Sequence, residues 1–310
     1  MAVDDKNVLQ IGEHEVSYVP GQSVLDAALA GGVPFCSECG GKARCSTCRI
    51  FVTGGDQNIT AINEAEKLLK ERITLPEKSR LACQTFLKGG NVKVNRIMKD
   101  ETDYPLYLPN RQDGQEAMGR EMHMALLFLD IRDFTHFVET HLAFDVVHLV
   151  RKLFSTFENI IKQFDGKVIE TAGDGLYAAF GFTTQLQQAA NDAVKAAYMI
   201  LDELVHLNES YLVKHFNEEI AIGMGLHVGK VAVGKIHLDN KDHEIVMGYP
   251  VNIAARLEGL TKELNNSFII SENTYKLLKN APEIKGVRTM ILKGVTTEQK
   301  VYLIGEMYNS

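Results

Sequence analysis

The sequence predicts two α+β domains in series, on three observations. All five cysteines fall between Cys36 and Cys83, within a stretch of short strands and turns. Residues 99–120 are polar and hold two prolines, the composition of a linker. From residue 121 the apolar spacing alternates between strand and helix periods in the order β-α-β-β-α-β, a split βαβ sheet with two helices on one face. A length of 310 residues suits about two domains of ~150 residues. The expected limits are 6–97, a linker at 98–120, and 121–306.

In the first domain, Val8–Ile11 and Val16–Val19 read as strands about a Gly-Glu-His-Glu turn. Ser23 caps a helix through Leu25–Leu29 that Gly31-Gly32 stops. A cysteine loop follows, then a strand at Arg49–Val52, a helix at Glu64–Arg72 and a final strand at Asn91–Val94. In the second domain, Met124–Leu129 is a buried strand. Val146, Val150, Leu153, Phe157, Ile161 and Phe164 repeat at helical spacing across 142–164. Strands at 167–172 and 175–180 form a hairpin, and a second helix covers about 186–207. Strands at 219–227, 230–236 and 243–247 and a helix at 251–264 complete the reading.

Apolar content of 45%, charged content of 24% and a net charge of −7 are ordinary for a globular protein. No basic footprint points to nucleic acid. The longest apolar run, Met124–Leu129, is too short to cross a bilayer, and MAVDDKNVLQ lacks a secretory pattern. The expectation is a cytoplasmic protein without membrane contact. In a reducing compartment, clustered cysteines indicate metal binding rather than disulfides.

Cys39, Cys45 and Cys48 are spaced C-x5-C-x2-C, with Cys83 far downstream. Iron–sulfur clusters take four thiolates. Cys36-x2-Cys39 and Cys45-x2-Cys48 also form the paired knuckles of a zinc site, which stands as the alternative. The segments CGGKARCSTCRI and RLACQ resemble a [2Fe–2S] ferredoxin domain with the β-grasp fold, in the spacing of the vertebrate-type adrenal class. That resemblance implies Cys39, Cys45, Cys48 and Cys83 as cluster ligands and leaves Cys36 a spare thiol. It also implies a redox partner protein.

In the second domain, VIETAGDGLYAAFG places Asp174 at a hairpin tip, and FLDIRDFT places Asp130 where a strand meets a loop. Neighbouring strands lie about 4.8 Å apart, so the two acids can meet, and a Mg²⁺ pair relieves their repulsion. Taken alone, Asp174 also fits a plain turn residue. Backbone amides at Phe134 and Thr135 can cradle phosphates. Lys230 follows a glycine in an expected tight turn, Asn252 and Arg256 share a helical face, and LKG holds Lys293.

Together FLDIRDFT, ETAGDGLYAAFG, GLHVGKVAVG, GYPVNIAARLE and LKG resemble the class III nucleotide cyclase catalytic domain. The resemblance implies conversion of ATP to 3′,5′-cyclic AMP and pyrophosphate at a site shared by two copies in a head-to-tail homodimer. Asp130 and Asp174, with the carbonyl of Ile131, would bind two Mg²⁺ or Mn²⁺ ions. Asn252 would orient the ribose, Arg256 would stabilise the transferring phosphoryl, and Lys230 and Lys293 would hold phosphates. Glu170 and Ile245 stand at the base-recognition positions. Glu170 matches guanylyl cyclases, so GTP is the alternative substrate; Ile245 neither donates nor accepts. Asp133 stands where the family usually has Gly. The fusion implies regulation by the cluster; the alternative of another class is a non-catalytic electron-transfer or dimerisation protein.

Overall fold

Ser23 shows how local chemistry sets the first unit. Its hydroxyl accepts from the Asp26 backbone N–H at 3.0 Å and opens helix α1 (Val24–Ala30). The coordinates are a computed structural model describing residues 7–97, 119–238 and 241–308. They divide into Met1–Gly119 and Arg120–Ser310, each taken by itself below. The expected linker falls outside the described residues as far as residue 118.

In the first unit, β1 (Val8–Ile11), β2 (His14–Ser17), β3 (Arg49–Gly54), β4 (Ser79–Leu81) and β5 (Val92–Arg96) form one sheet, ordered β2-β1-β5-β3-β4. β1 and β5 are parallel and the other pairs antiparallel, the β-grasp arrangement. Strand β4 was not expected; three residues are too few to show a period. Helix α2 (Glu64–Arg72) presents Glu66, fully buried, to Arg80. Arg80 donates through Nε and Nη2 to that carboxylate, both at 3.0 Å, and the Leu81 amide donates at 2.9 Å. A buried acid is tolerated only when so paired. The pair ties α2 to the strand that leads into Cys83.

The second unit is built on β6 (Arg120–Ile131), followed by α3 (Phe134–Thr140), α4 (Ala143–Gln163), β7 (Gly166–Ala172), β8 (Gly175–Phe180) and α5 (Leu186–Leu207). Then come β9 (Ile222–Leu238), β10 (Lys241–Met247), α6 (Tyr249–Glu263), β11 (Phe268–Ser271), β12 (Gly286–Ile291) and β13 (Glu298–Leu303). The sheet runs β12-β13-β11-β9-β6-β8-β7, with β10 folded back on β9. Alternate residues of β6 serve opposite faces. Ala125, Leu127 and Leu129 meet Leu149, Leu153 and Phe157 of α4 and the alanines of α5. Met124 and Leu126 face Ala254 of α6 on the other side. The two core helices thus share one face, and α6 covers the reverse.

Helix α6 lies close against β9 because that strand is glycine-rich on the covered face. A Cβ at Gly225 would stand 2.5 Å from the Ala254 carbonyl oxygen and 2.7 Å from the Leu257 carbonyl carbon. One at Gly229 would stand 2.6 Å from Pro250 Cβ. Gly229 was expected to lie in a turn between strands 219–227 and 230–236. Instead β9 runs unbroken through it, paired with β6 from Ile222 to Val233.

Candidate active site and cluster loop

Asp130 is the next-to-last residue of β6, and its register partners on both sides are glycines, Gly175 of β8 and Gly223 of β9. The missing side chains leave space around its carboxylate. The tip between β7 and β8 is a two-residue turn, Gly173-Asp174, closed by the Ala172–Gly175 pair. Gly173 takes the left-handed φ of 61° that the first turn position needs. The turn thus reads Gly-Asp rather than Asp-Gly, and Asp174 stands directly before Asp130's partner. Burial and the charge of Asp174 both raise the Asp130 carboxyl above the ordinary carboxylate range, opposed by Arg132.

Both acids line a cleft of about 440 Å³ with Ile131, Arg132, Asp133, Phe134, Thr135, His136, Glu139 and Lys262. The two acids and three of their expected partners, Ile131, Phe134 and Thr135, are therefore together. Two carboxylates in one cleft with the backbone of Ile131 offer the oxygen ligands that a hard divalent cation takes, so the residues fit Mg²⁺ or Mn²⁺. Asp133 explains its own oddity. It caps α3 at φ 52°, the left-handed conformation that favours glycine, and its exposed side chain adds a further negative charge to the cleft.

Other expected residues lie elsewhere on the chain. Asn252 and Arg256 are exposed one turn apart on α6, and Arg256 pairs with no acid among the described residues. Lys293 is exposed beside Leu292, which packs with Ile253 and Leu257 of α6. None of these three lines the acid cleft. Lys230 is not in a turn. It sits within β9, seven register positions from Gly223, and pairs with Glu121 at 2.5 Å. Glu170 is exposed opposite Tyr177, whose ring stacks on Phe128 at 4.5 Å and whose hydroxyl donates to the Val246 carbonyl at 3.5 Å. Strand alternation puts Ile245 on the opposite face from Val246, so the two base-recognition positions are not joined on one face of this chain.

In the first unit, Cys48 and Cys83 face each other at 3.5 Å. The hydrogen bond from Cys48 pulls the Cys83 thiol down to about 6, helped by Gln84 and the Ala43 amide, against burial. Cys39 is held below the usual thiol range although burial opposes it. The Arg44, Lys42 and Cys45 amides and the Cys45 side chain stabilise its thiolate. Gly40, Gly41 and Ala43 take positive φ to aim this loop inward. Amides directed at sulfur fit a cluster of thiolate-bound iron. Burial raises Cys45 as well, and the hydrogen bond to Cys83 together with burial raises Cys48. Burial and the Glu38 charge push the Cys36 thiol up to about 12, but Cys36 differs chiefly in its partner: it donates to Glu38 at 3.5 Å, whereas Cys39 meets Cys45 and Cys48 meets Cys83.

Comparison with known proteins identifies a family for each unit. The profile of the adenylate and guanylate cyclase catalytic domain matches residues 117–306. The chain belongs to that family. The profile of the 2Fe-2S iron-sulfur cluster binding domain matches residues 8–88, so the cyclase domain is fused to a ferredoxin-type domain. Adenylate cyclase 1 of Rhizobium meliloti is 25% identical over 68% of this chain and 33% of its own length. The adenylate cyclase of Anabaena cylindrica is 23% identical over 67% of this chain and 43% of its own. The chain thus spans well under half of these curated relatives. Among solved structures, the guanylyl cyclase Cya2 is 26% identical, with a TM-score of 0.55 over 62% of this chain and 98% of that one. A bacterial light-regulated adenylyl cyclase is 25% identical, with a TM-score of 0.53 over 61% of this chain and 54% of that one. Among the described residues no helix is long and apolar enough to cross a membrane.

Proposed function

We propose that the second unit cyclises a purine nucleoside triphosphate to its 3′,5′-cyclic monophosphate, releasing pyrophosphate. The observation that carries this is the pairing of Asp130 and Asp174 at adjacent strand ends in one cleft. Those carboxylates and the Ile131 carbonyl hold two Mg²⁺ or Mn²⁺ ions. Bound there, the ions supply charge for the phosphates and lower the pKa of the ribose 3′-hydroxyl. The first-turn amides of Phe134 and Thr135 receive phosphate oxygens. Asn252 orients the ribose and Arg256 donates to the phosphoryl group as charge accumulates. Lys293 holds the terminal phosphates. The 3′-oxygen bonds to the α-phosphorus, the bond from that phosphorus to the leaving pyrophosphate breaks, and the hydroxyl proton is lost to solvent.

Asn252, Arg256 and Lys293 lie outside the acid cleft of their own chain, which supports a head-to-tail homodimer with each site shared. Mixing Asp130→Asn chains with Arg256→Ala chains in equal amounts then restores about a quarter of wild-type activity, because half the dimers hold one intact site. ATP is the proposed substrate, in line with the relatives named adenylate cyclases. Glu170 favours a second reading, GTP, since an unpaired carboxylate accepts from both N1–H and the exocyclic amine of guanine. Purified protein with Mn²⁺ and each triphosphate decides between them. Absence of cyclic product from both overturns the proposal.

Within the limits 6–97, 98–120 and 121–306, the ferredoxin-type unit carries a [2Fe–2S] cluster on Cys39, Cys45, Cys48 and Cys83 and regulates the cyclase. A redox partner protein exchanges electrons with it. Equal activity of oxidised, reduced and cluster-free protein would remove the regulatory role.

A further inference from the structure

Arg132 has no part in the roles above. It stands two residues after Asp130, and its backbone N–H donates to the Ala221 carbonyl at 2.8 Å. Its guanidinium forms an ion pair with Glu258 of α6, the two side chains being only 14% and 16% exposed. Tyr308 lies near the same guanidinium, its hydroxyl donating to the Ile222 carbonyl at 3.1 Å. The neighbouring strand is cut away for it: a Cβ at Gly223 would lie 2.6 Å from Arg132 Cζ. Glu258 lies two residues beyond Arg256 on α6. One ion pair therefore joins the strand end that carries Asp130 to the helix that carries Asn252 and Arg256.

We propose that Arg132 and Glu258 are positioning residues whose ion pair fixes the Asp130 end of β6 to α6, holding the acid half and the donor half of one chain as a single piece. This rests on the reading of Asp130 and Asp174 as cation ligands. A largely buried ion pair adds little net stability, because desolvation offsets its attraction. What such a pair supplies is a defined geometry, and here the geometry is that of a carboxylate. Arg132 also balances charge. Asp130, Asp174 and Glu258 repel one another, and Arg132 is the group that opposes the upward shifts of both Asp130 and Glu258.

Mn²⁺ binding to the full-length, nucleotide-free protein, followed by electron paramagnetic resonance, tests the proposal. Wild type must bind and Asp130→Asn must lose binding; otherwise the underlying cation reading fails, whatever the ion pair does. In Arg132→Gln, removal of a positive neighbour would by charge alone tighten Mn²⁺ binding. Loss of positioning instead weakens it, by ~10-fold on the scale of outer-shell partners of metal ligands. Arg132→Lys, the variant least disturbing to folding, keeps the charge but loses the planar fork, and weakens binding by about 3-fold or more. Arg132→Gln/Glu258→Gln binds no more weakly than Arg132→Gln, since both substitutions break one interaction. Unchanged or tighter binding in either Arg132 variant, or additive losses in the double variant, overturns the proposal.

Discussion

Gly225→Ala makes the sharpest demand on the packing argument. The added carbon meets backbone atoms of α6, the Ala254 oxygen at 2.5 Å and the Leu257 carbonyl carbon at 2.7 Å, where ordinary contact begins at 3.4 Å. Backbone on both sides cannot rotate away, so α6 must lift by about 1 Å or β9 must bow by as much. Overpacking of this kind costs about 1–3 kcal/mol, and for a unit of this size each kcal/mol lowers Tm by roughly 2–4 °C. The expected fall is therefore about 2–12 °C. Because α6 carries Asn252 and Arg256, a displacement near 1 Å is expected to lower kcat by about 10²-fold. Differential scanning calorimetry and cyclase kinetics on the same preparation read both effects. Gly259→Ala is the stability control. No atom lies within 4 Å of its added carbon, and Ala over Gly in an exposed helix stabilises by about 1 kcal/mol, so its Tm rises. Wild-type Tm and kcat in Gly225→Ala would refute the claim that glycine is there to seat the helix.

Asp133→Gly relieves a left-handed backbone and removes a negative charge from the cleft. It is expected to raise stability by up to about 1 kcal/mol and to lower KM for the triphosphate, and an unchanged KM would separate Asp133 from the phosphates. Asp130, with its pKa raised, opposes folding of metal-free protein once pH rises through the raised value. Added Mn²⁺ should thus raise Tm progressively less as pH falls from neutrality toward the ordinary carboxylate range, and a Tm increment independent of pH contradicts this. Ser at Cys45 or Cys83 should abolish the visible absorption of the cluster, whereas Cys36→Ser retains it. Loss of colour in Cys36→Ser would make Cys36 a ligand after all.

Much of this was legible in the sequence because period and composition carry it. The spacing of Val146, Leu153, Phe157 and Ile161 gave α4 nearly to its ends, and Ser23 marks a true helix start through its cap. Asp130 and Asp174 could be paired on paper because hairpin topology puts their strands side by side. Lys230 was misplaced for a definite reason: glycine was read as a turn signal, while Gly223, Gly225 and Gly229 serve a helix lying on the strand. Arg132 and Glu258 escaped because an ion pair between residues 126 positions apart leaves no local pattern. Their sole clue was symmetry of spacing, each two residues beyond a residue of the proposed site. Which face of β10 carries Ile245 depended on the register of β10 with β9, which composition does not set.

Strand β6 begins at Arg120, next to the linker, and ends on the metal-side acid. Twelve register pairs with β9 and six with β8 clamp it along its length. A slip of one residue would turn Leu127 and Leu129 out of the core and throw Asp130 to the far side of the sheet. The strand is thus a fixed rail and not a piston. Under the proposed regulation by the cluster, a signal from the first unit would have to move the strand as a whole, not slide it along its neighbours.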